Sequence, residues 1–373
     1  MDRGEKTSDK LRYQFVVESL KRRIDGGDWP AGQKIPAERE LEKELGVSRT
    51  TVSKGLATLE ADGLLVRRQG SGTFVTEQNH RLRNRTRWVK SLCPAGPNNG
   101  RASVKHGVLE GAYDALGRHG FQVGVDFYQT LEEQIEFLDR SCAPGEGGVL
   151  VWFEPAPANV AALARLRERE IPFVVLDSYP AGQDVDFAVS DNVEGGVLMV
   201  QYLVEMGHRR IGYLSRPIDR SSLRDRMTGF LQGVVTHQLP FSSEDVVIMR
   251  QPWNRAAEDL PQALEHFLAV TPRPTALCFS NDDLALTAAD YLRQKGLRVP
   301  QDISLVGYDN VEQSKIGPIF LTTVQQDFYG MGKAAGEIVG ERLNGVKNGR
   351  PNHVLMKPEL VIRDSVVRRN PEP

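Results

Sequence analysis

From residue 88 onward, short apolar runs of strand length alternate with longer segments of helical period for almost 280 residues. Strand-like runs fall at residues 88–92, 148–153, 173–176, 210–214, 246–249, 276–280 and 303–306. Between them lie helical stretches at 106–119, 160–170, 195–206, 226–237, 256–269 and 283–295. Such alternation dictates parallel sheets covered by helices on both faces, because each parallel crossover needs a helix to bring the chain back. The number of strands is generous for one doubly wound sheet, so two sheets are expected.

The first 76 residues follow a different pattern. Leu11, Phe15, Val16, Leu20 and Ile24 recur with helical period, and Gly26, Gly27, Pro30 and Gly32 interrupt them. A second helix begins after Pro36 and ends at Gly46. Ser48 is placed to cap a third helix that runs to Asp62 and stops at Gly63. Two β-prone runs, 64–68 and 73–76, flank a turn made by Gln69, Gly70, Ser71 and Gly72. Residues 79–86 are polar and arginine-rich, the composition of a linker. The expected division is therefore 1–78, a linker at 79–86, and a body over 87–373.

Charge divides the chain in the same way. Residues 1–90 carry 19 Lys and Arg against 13 Asp and Glu, a net of +6, and the remainder carries 28 against 36, a net of −8. A cationic front on an acidic body points to a polyanion as partner of the front alone. The third helix presents Arg49, Thr50 and Ser53 near its N-terminus, where free N–H groups favour a phosphate or a groove. Arginine can pair with guanine through two bonds, and threonine can donate to phosphate or touch a thymine methyl. Glu40, Glu42 and Glu44 read as solvent-facing residues.

Other chemistries leave no trace. The seven histidines, at 80, 106, 119, 208, 237, 266 and 353, have no metal-ligand spacing, and no GxSxG nucleophile turn is present. Cys93, Cys142 and Cys278 stand far apart, without the pairing of a disulfide framework or a zinc knuckle. The Gly70-Ser71-Gly72 turn lacks the lysine and following helix of a phosphate-binding loop. No apolar stretch approaches the roughly 20 residues of a bilayer span, and the charged N-terminus has no secretory core. Neither an enzyme, a metal, a cofactor nor a membrane contact is expected, and the location expected is the cytoplasm.

Four spaced motifs in the front, KIPAEREL from Lys34, LGVSRTTVSK from Leu45, LEADGLLV from Leu59 and QGSGTFV from Gln69, resemble the GntR family of winged helix-turn-helix regulators. The resemblance runs over residues 11–76. It implies double-stranded operator DNA as partner, with contacts at Arg39, Arg49, Thr50, Thr51 and the wing tip at Gly70. Where many of that family carry an arginine, this chain has Ser53 followed by Lys54, which leaves a phosphate contact by Lys54.

In the body, VSDN from Val189, MGHRRIGY from Met206, RMTGF from Arg226, PTALCFSND from Pro274, GLRVPQDISLVGYDN from Gly296 and LTTV from Leu321 resemble the effector domain of LacI/GalR regulators. That resemblance implies the two-lobed fold of periplasmic sugar-binding proteins, lobe 1 spanning about 87–189 and 324–349 and lobe 2 about 190–323 and 350–373. A GntR head on such a body is similar to the arabinose repressors of the AraR type. It implies a homodimeric repressor of sugar-utilisation genes, released by a monosaccharide such as arabinose. A regulator of the same architecture that senses a non-sugar metabolite, or that activates, stays open at this level. The resemblance assigns ligand contacts to Arg226, Asn281, Asp309 and the facing Asp177, with Trp253 as stacking aromatic; Trp152 and Phe153, at the end of a predicted strand where that family often has a polar residue, offer a second wall. Read from the residues alone, Asp309 serves equally as a turn cap, Asn281 as the N-cap of the following helix, and Trp253 as core.

Overall fold

The computed structural model describes residues 15–369 except 18, 22, 25–27, 31, 62–63, 69, 77–87, 96–100, 142–146, 251–255, 312–314, 317 and 347–349. The expected linker, Trp253 and Cys142 lie outside the described residues. The chain divides into two compact units, the first Met1–Thr86 and the second Arg87–Ala143 with Gly147–Pro373.

In the first unit, helical residues between 15 and 24 precede α1 (Glu38–Leu45) and α2 (Arg49–Ala61). The Ser48 hydroxyl accepts from the Thr51 amide at 3.3 Å, so the cap expected at the start of α2 forms. Strands β1 (Leu65–Arg68) and β2 (Gly72–Val75) pair antiparallel as the wing. Its turn needs Gly70, whose φ of 74° is a left-handed conformation. Val16, Leu20, Ile35, Leu41, Val52, Leu56, Leu59, Leu65 and Val75 are buried together as the core of this unit. The apolar period of the helices therefore closes on the wing.

The second unit contains two six-stranded sheets. The first runs β15-β7-β6-β5-β3-β4, where β3 is Trp88–Pro94, β4 Gln122–Tyr128, β5 Val149–Trp152, β6 Phe173–Leu176, β7 Phe187–Ser190 and β15 His353–Met356. All its pairings are parallel. The second runs β16-β14-β11-β10-β8-β9, with β8 Ile211–Ser215, β9 Val246–Ile248, β10 Ala276–Phe279, β11 Ser304–Asp309, β14 Thr322–Gln325 and β16 Glu359–Val361. It is parallel except for the edge strand β16, which runs antiparallel to β14, so both sheets are parallel in the main, as expected.

Each central strand is buried on both faces. Val149 and Val151 enter one core and Leu150 and Trp152 the other. Likewise Leu277 and Phe279 oppose Ala276 and Cys278. This is why these strands read as continuous apolar runs rather than alternating ones.

The chain crosses between lobes three times. It leaves β7 for the helix α6 (Asn192–Glu205), returns from β14 to the helix α10 (Phe328–Leu343), and leaves β15 for β16. The last crossing corrects the lobe boundary expected at 350. Residues 353–356 add a parallel strand beside β7, so they belong to the first sheet, and the switch falls between Met356 and Glu359. The physical reason is an unfilled sheet edge: β7 would otherwise present unpaired N–H and C=O groups.

Beneath the second sheet, His208 is fully buried between Thr275 and the final segment of the chain. Its Nε2 lies 3.2 Å from the Val367 carbonyl, which only accepts, so Nε2 carries the proton and Nδ1 accepts from the Thr275 hydroxyl at 2.8 Å. Burial, and then the charge of Arg369, push its pKa from 6.5 down to about 4. The unfolded chain therefore takes up a proton that the folded chain refuses between those values. The stability held by neutral His208 is complete above pH 6.5 and is lost as pH falls towards 4, by about 3 kcal/mol in total. Urea unfolding across that window should show this loss in the wild type and a shallower slope in His208→Gln; equal slopes would exclude His208 as its source.

Candidate functional site

A cleft of about 460 Å³ opens between the two lobes of the second unit. It lies at the carboxyl ends of the strands, where side chains that follow each strand converge without a helix to cover them. From the first lobe come Trp152 at the end of β5, Phe153 and Glu154 after it, and Asp177 after β6; from the second come Arg216 after β8, Arg226, Asn281 after β10, and Asp309.

Asp177 and Asp309 share an unusual backbone. Their φ values are 64° and 112°, in the region that non-glycine residues avoid at a cost of order 1 to 3 kcal/mol. Each stands at the end of a strand, and each lines the cleft. Strain at both lobes' strand ends marks the cleft as a built feature rather than a packing defect.

Arg226 projects from the helix α7 (Ser221–Thr236) and is 4% exposed. Its guanidinium donates from Nε to Asn192 Oδ1 at 2.8 Å and from Nη1 to the Ser280 carbonyl at 2.5 Å, and Nη1 lies 3.3 Å from Asp309. The same group sits 3.8 Å from the centre of the Tyr308 ring. Burial is the largest single influence and acts against its charge, but the facing Asp309 carboxylate together with Tyr308, Asp177 and Tyr213 outweighs it and holds the guanidinium above its ordinary value. The position of Arg226 depends on two glycines: a Cβ at Gly229 would stand 1.9 Å from the Val193 carbonyl, and one at Gly196 would stand 2.3 Å from that of Arg226. Only bare backbone allows α6 and α7 so close, and that contact puts Arg226 within reach of Asn192.

Asp309 is engaged by Arg226 and by Gln326. Asn281 does cap a helix, since its Oδ1 accepts from the Leu284 amide at 3.1 Å at the start of α9 (Asp282–Gln294), and it also lines the cleft. Trp152 and Phe153 belong mainly to the cores on opposite faces of the first sheet, yet both reach the cleft. Six of the seven residues expected at a ligand site thus share one cavity; the seventh, Trp253, is outside the described residues.

The sequence reading missed Glu154, Arg220, Gln326 and Asn192. Glu154 of the first lobe pairs with Arg220 of the second, and both line the cleft. Nearby, the Tyr179 amide donates to Ser221 Oγ at 2.8 Å and the Tyr179 hydroxyl to Asp225 at 2.8 Å, a second set of contacts between lobes. Asn192 closes the VSDN motif without being singled out there, and no short motif marks Glu154, Arg220 or Gln326, because their meaning lies in partners many positions away.

In the first unit, Arg39, Arg49, Thr50, Lys54 and Gly70 are exposed, whereas Thr51 and Ser53 are half-buried. Thr51 Oγ1 lies 2.7 Å from Ser48 Oγ and Thr50 Oγ1 2.9 Å from it, so both hydroxyls take part in the cap of α2. Glu38 of α1 holds Arg49 at 3.4 Å and Arg67 of the wing at 3.2 Å. One carboxylate therefore orients a cation on the helix and a cation on the wing. Arg67 was not singled out from the sequence, although the Arg67-Arg68 pair before a tight turn carries the signal.

Residues 12–75 match the gntR family of bacterial regulatory proteins, and residues 200–366 match the periplasmic binding protein-like domain. An arabinose metabolism transcriptional repressor from Geobacillus stearothermophilus is 27% identical over 97% of this chain and 98% of its own length. The HTH-type transcriptional repressor PurR of Aliivibrio fischeri is 32% identical over 77% of this chain and 83% of its own. The chain is a GntR-type transcription regulator with a periplasmic-binding-protein-like body. Solved structures repeat the regulator's fold. A cellobiose complex of the transcriptional regulator CelR gives a TM-score of 0.66 at 21% identity, covering 89% of this regulator and 100% of that chain. A LacI family regulator from Enterococcus faecium with bound ribose gives 0.61 at 20%, covering 76% and 100%. No helix among the regulator's described residues is long and apolar enough to cross a membrane.

Proposed function

We propose that the regulator represses sugar-utilisation genes as a homodimer on a two-fold operator and is released when a monosaccharide enters the cleft. The observation that carries this reading is the Arg226–Asp309 pair inside the cleft. A planar guanidinium offers donors and a carboxylate offers acceptors in fixed directions, which suits neighbouring hydroxyls of a sugar ring. Asn281 and Asp177 add polar partners from either lobe, and Trp152 and Phe153 give an apolar wall for the C–H face. Relatives named for arabinose metabolism span the whole length of the chain, and structural relatives hold ribose or cellobiose; arabinose and ribose are the first ligands to try.

On the DNA side, Arg49 and Thr50 at the start of α2 face base edges, Arg39, Thr51, Ser53 and Lys54 serve the phosphates around them, and Gly70 lets the wing approach the neighbouring groove. Arg49→Ala should weaken binding to a selected operator by about 1 to 3 kcal/mol. Equal loss on random duplex would reassign it to the phosphates.

Coupling is tested by calorimetric titration of arabinose, ribose and cellobiose into the full chain, with and without operator duplex. Linkage requires that DNA weaken sugar binding by the same factor that sugar weakens DNA binding. Sugar affinity indifferent to DNA would reject the mechanism, and binding of cellobiose alone would exclude a monosaccharide effector.

A further inference from the structure

We propose that Gln326 and Ser190 are positioning residues that join the effector cleft to the hinge, so that occupation of Asp309 and Arg226 is read at the crossings between lobes. The proposal rests on the reading of the cleft as the effector site. Its basis is a closed ring of four hydrogen bonds and one ion pair. The Ser190 hydroxyl donates to Gln326 Oε1 at 2.6 Å, and Gln326 Nε2 donates to Asp309 Oδ1 at 2.7 Å. Asp309 faces Arg226 Nη1 at 3.3 Å, Arg226 Nε donates to Asn192 Oδ1 at 2.8 Å, and Asn192 Nδ2 returns to the Ser190 carbonyl at 3.0 Å.

Two of these five residues line the first crossing and one lies on the second. Ser190 ends β7 and Asn192 begins α6; Gln326 stands between β14 and α10. The third crossing is tied in as well, through the Asp191 amide, which donates to the Met356 carbonyl at 2.8 Å. Any rotation of one lobe against the other must turn the backbone at these positions, because nothing else connects the two sheets covalently. Arg226 and Asp309 face the cleft, and Gln326 lines it as well.

The residue types are those the task demands. Gln326 must accept at one end and donate at the other, which an amide does and a carboxylate or an ammonium does not. Asn192 solves the same problem on the opposite side, accepting from Arg226 and donating to a carbonyl. Ser190, Asn192 and Gln326 are 2%, 3% and 5% exposed, so these bonds form away from water, where polar networks are strong when complete and costly when broken. A ligand hydroxyl that binds Asp309 Oδ1 or Arg226 Nη1 draws on atoms already committed to the ring. It therefore changes the bonds that Gln326 and Asn192 make, and through them the torsions at the crossings.

Ser190 does not line the cleft, so Ser190→Ala removes one bond of the ring without removing a ligand contact. The coupling factor is the ratio of arabinose dissociation constants with and without operator duplex, measured on the full chain. Ser190→Ala should cut this ratio by roughly tenfold, or to one if the wild-type ratio is smaller, while leaving arabinose affinity in the absence of DNA within about threefold of wild type. Gln326→Met, which keeps length and loses both bonds, should bring the ratio to one. Wild-type coupling in both variants overturns the proposal. Should arabinose fail to bind the wild type, the reading of the ligand fails, and amide hydrogen exchange on the ligand-free chain decides the ring by itself. Gln326→Met is then expected to speed exchange at 190–192 and at 309–310 together by roughly tenfold, and unchanged exchange at 309–310 overturns it.

Discussion

Arg226→Ala is expected to lose more than a hundredfold in effector affinity and to lower the unfolding free energy by about 3 to 5 kcal/mol. The first effect comes from removing charge-assisted donors to the ligand. The second comes from leaving the Asp309 carboxylate, the Asn192 amide and the Ser280 carbonyl without the partner that each now has in a buried setting. Because the alanine variant strains the fold itself, Arg226→Lys is the cleaner test. Lysine keeps a positive charge against Asp309 but cannot serve Asn192, Ser280 and a ligand in one plane. It should fold and bind operator as the wild type does, yet respond to sugar only at concentrations far above the wild-type range. An Arg226→Lys protein with unchanged sugar response would remove this guanidinium from the binding site.

Gly229→Ala is expected to destabilise the second unit by about 2 to 3 kcal/mol, measured by chemical unfolding. A methyl group 1.9 Å from the Val193 carbonyl has no flexible side chain to displace, so α6 and α7 must separate, and the small helical advantage of alanine offsets only part of that. The separation also draws Arg226 away from Asn192, which should weaken the effector response in parallel. Gly117→Ala supplies the control. Gly117 lies in the helix spanning Arg101–Arg118, and a Cβ there meets nothing within 4 Å. The same substitution should stabilise the protein by up to about 1 kcal/mol. Two identical changes with opposite signs would establish close helix approach as the cause; a loss at both sites would point to some other common effect.

Legibility in the sequence followed the type of signal. The central strands β5, β6 and β10 announced themselves because burial on both faces makes them continuous apolar runs. The strand β4 did not, since it lies at a sheet edge with Val125 and Phe127 exposed, and its QVGVDFY composition has no such run. The strand β15, whose HVLM side chains are all exposed or half-buried, was missed for the same reason, and with it the true lobe boundary. The helix over Leu131–Arg140 also escaped, although Thr130 caps it. Resemblance located Arg226, Asn281 and Asp309; nothing local distinguished ligand contact from helix capping at Asn281, and the structure places it where it can do both.

The sequence by itself determined the division into a cationic reader and an acidic α/β body, because charge, apolar period and capping residues are local properties that survive without a fold. It also supplied the residue types proposed for contact with an effector and with a phosphate backbone. Only the tertiary structure decided that Glu154 meets Arg220, that Glu38 holds two arginines, and that Ser190, Asn192 and Gln326 close a ring with Asp309 and Arg226. Ser190 and Gln326 are 136 residues apart, and no local rule relates them. Their bond exists because three chain crossings converge on one hinge, where burial leaves each polar group no partner but another.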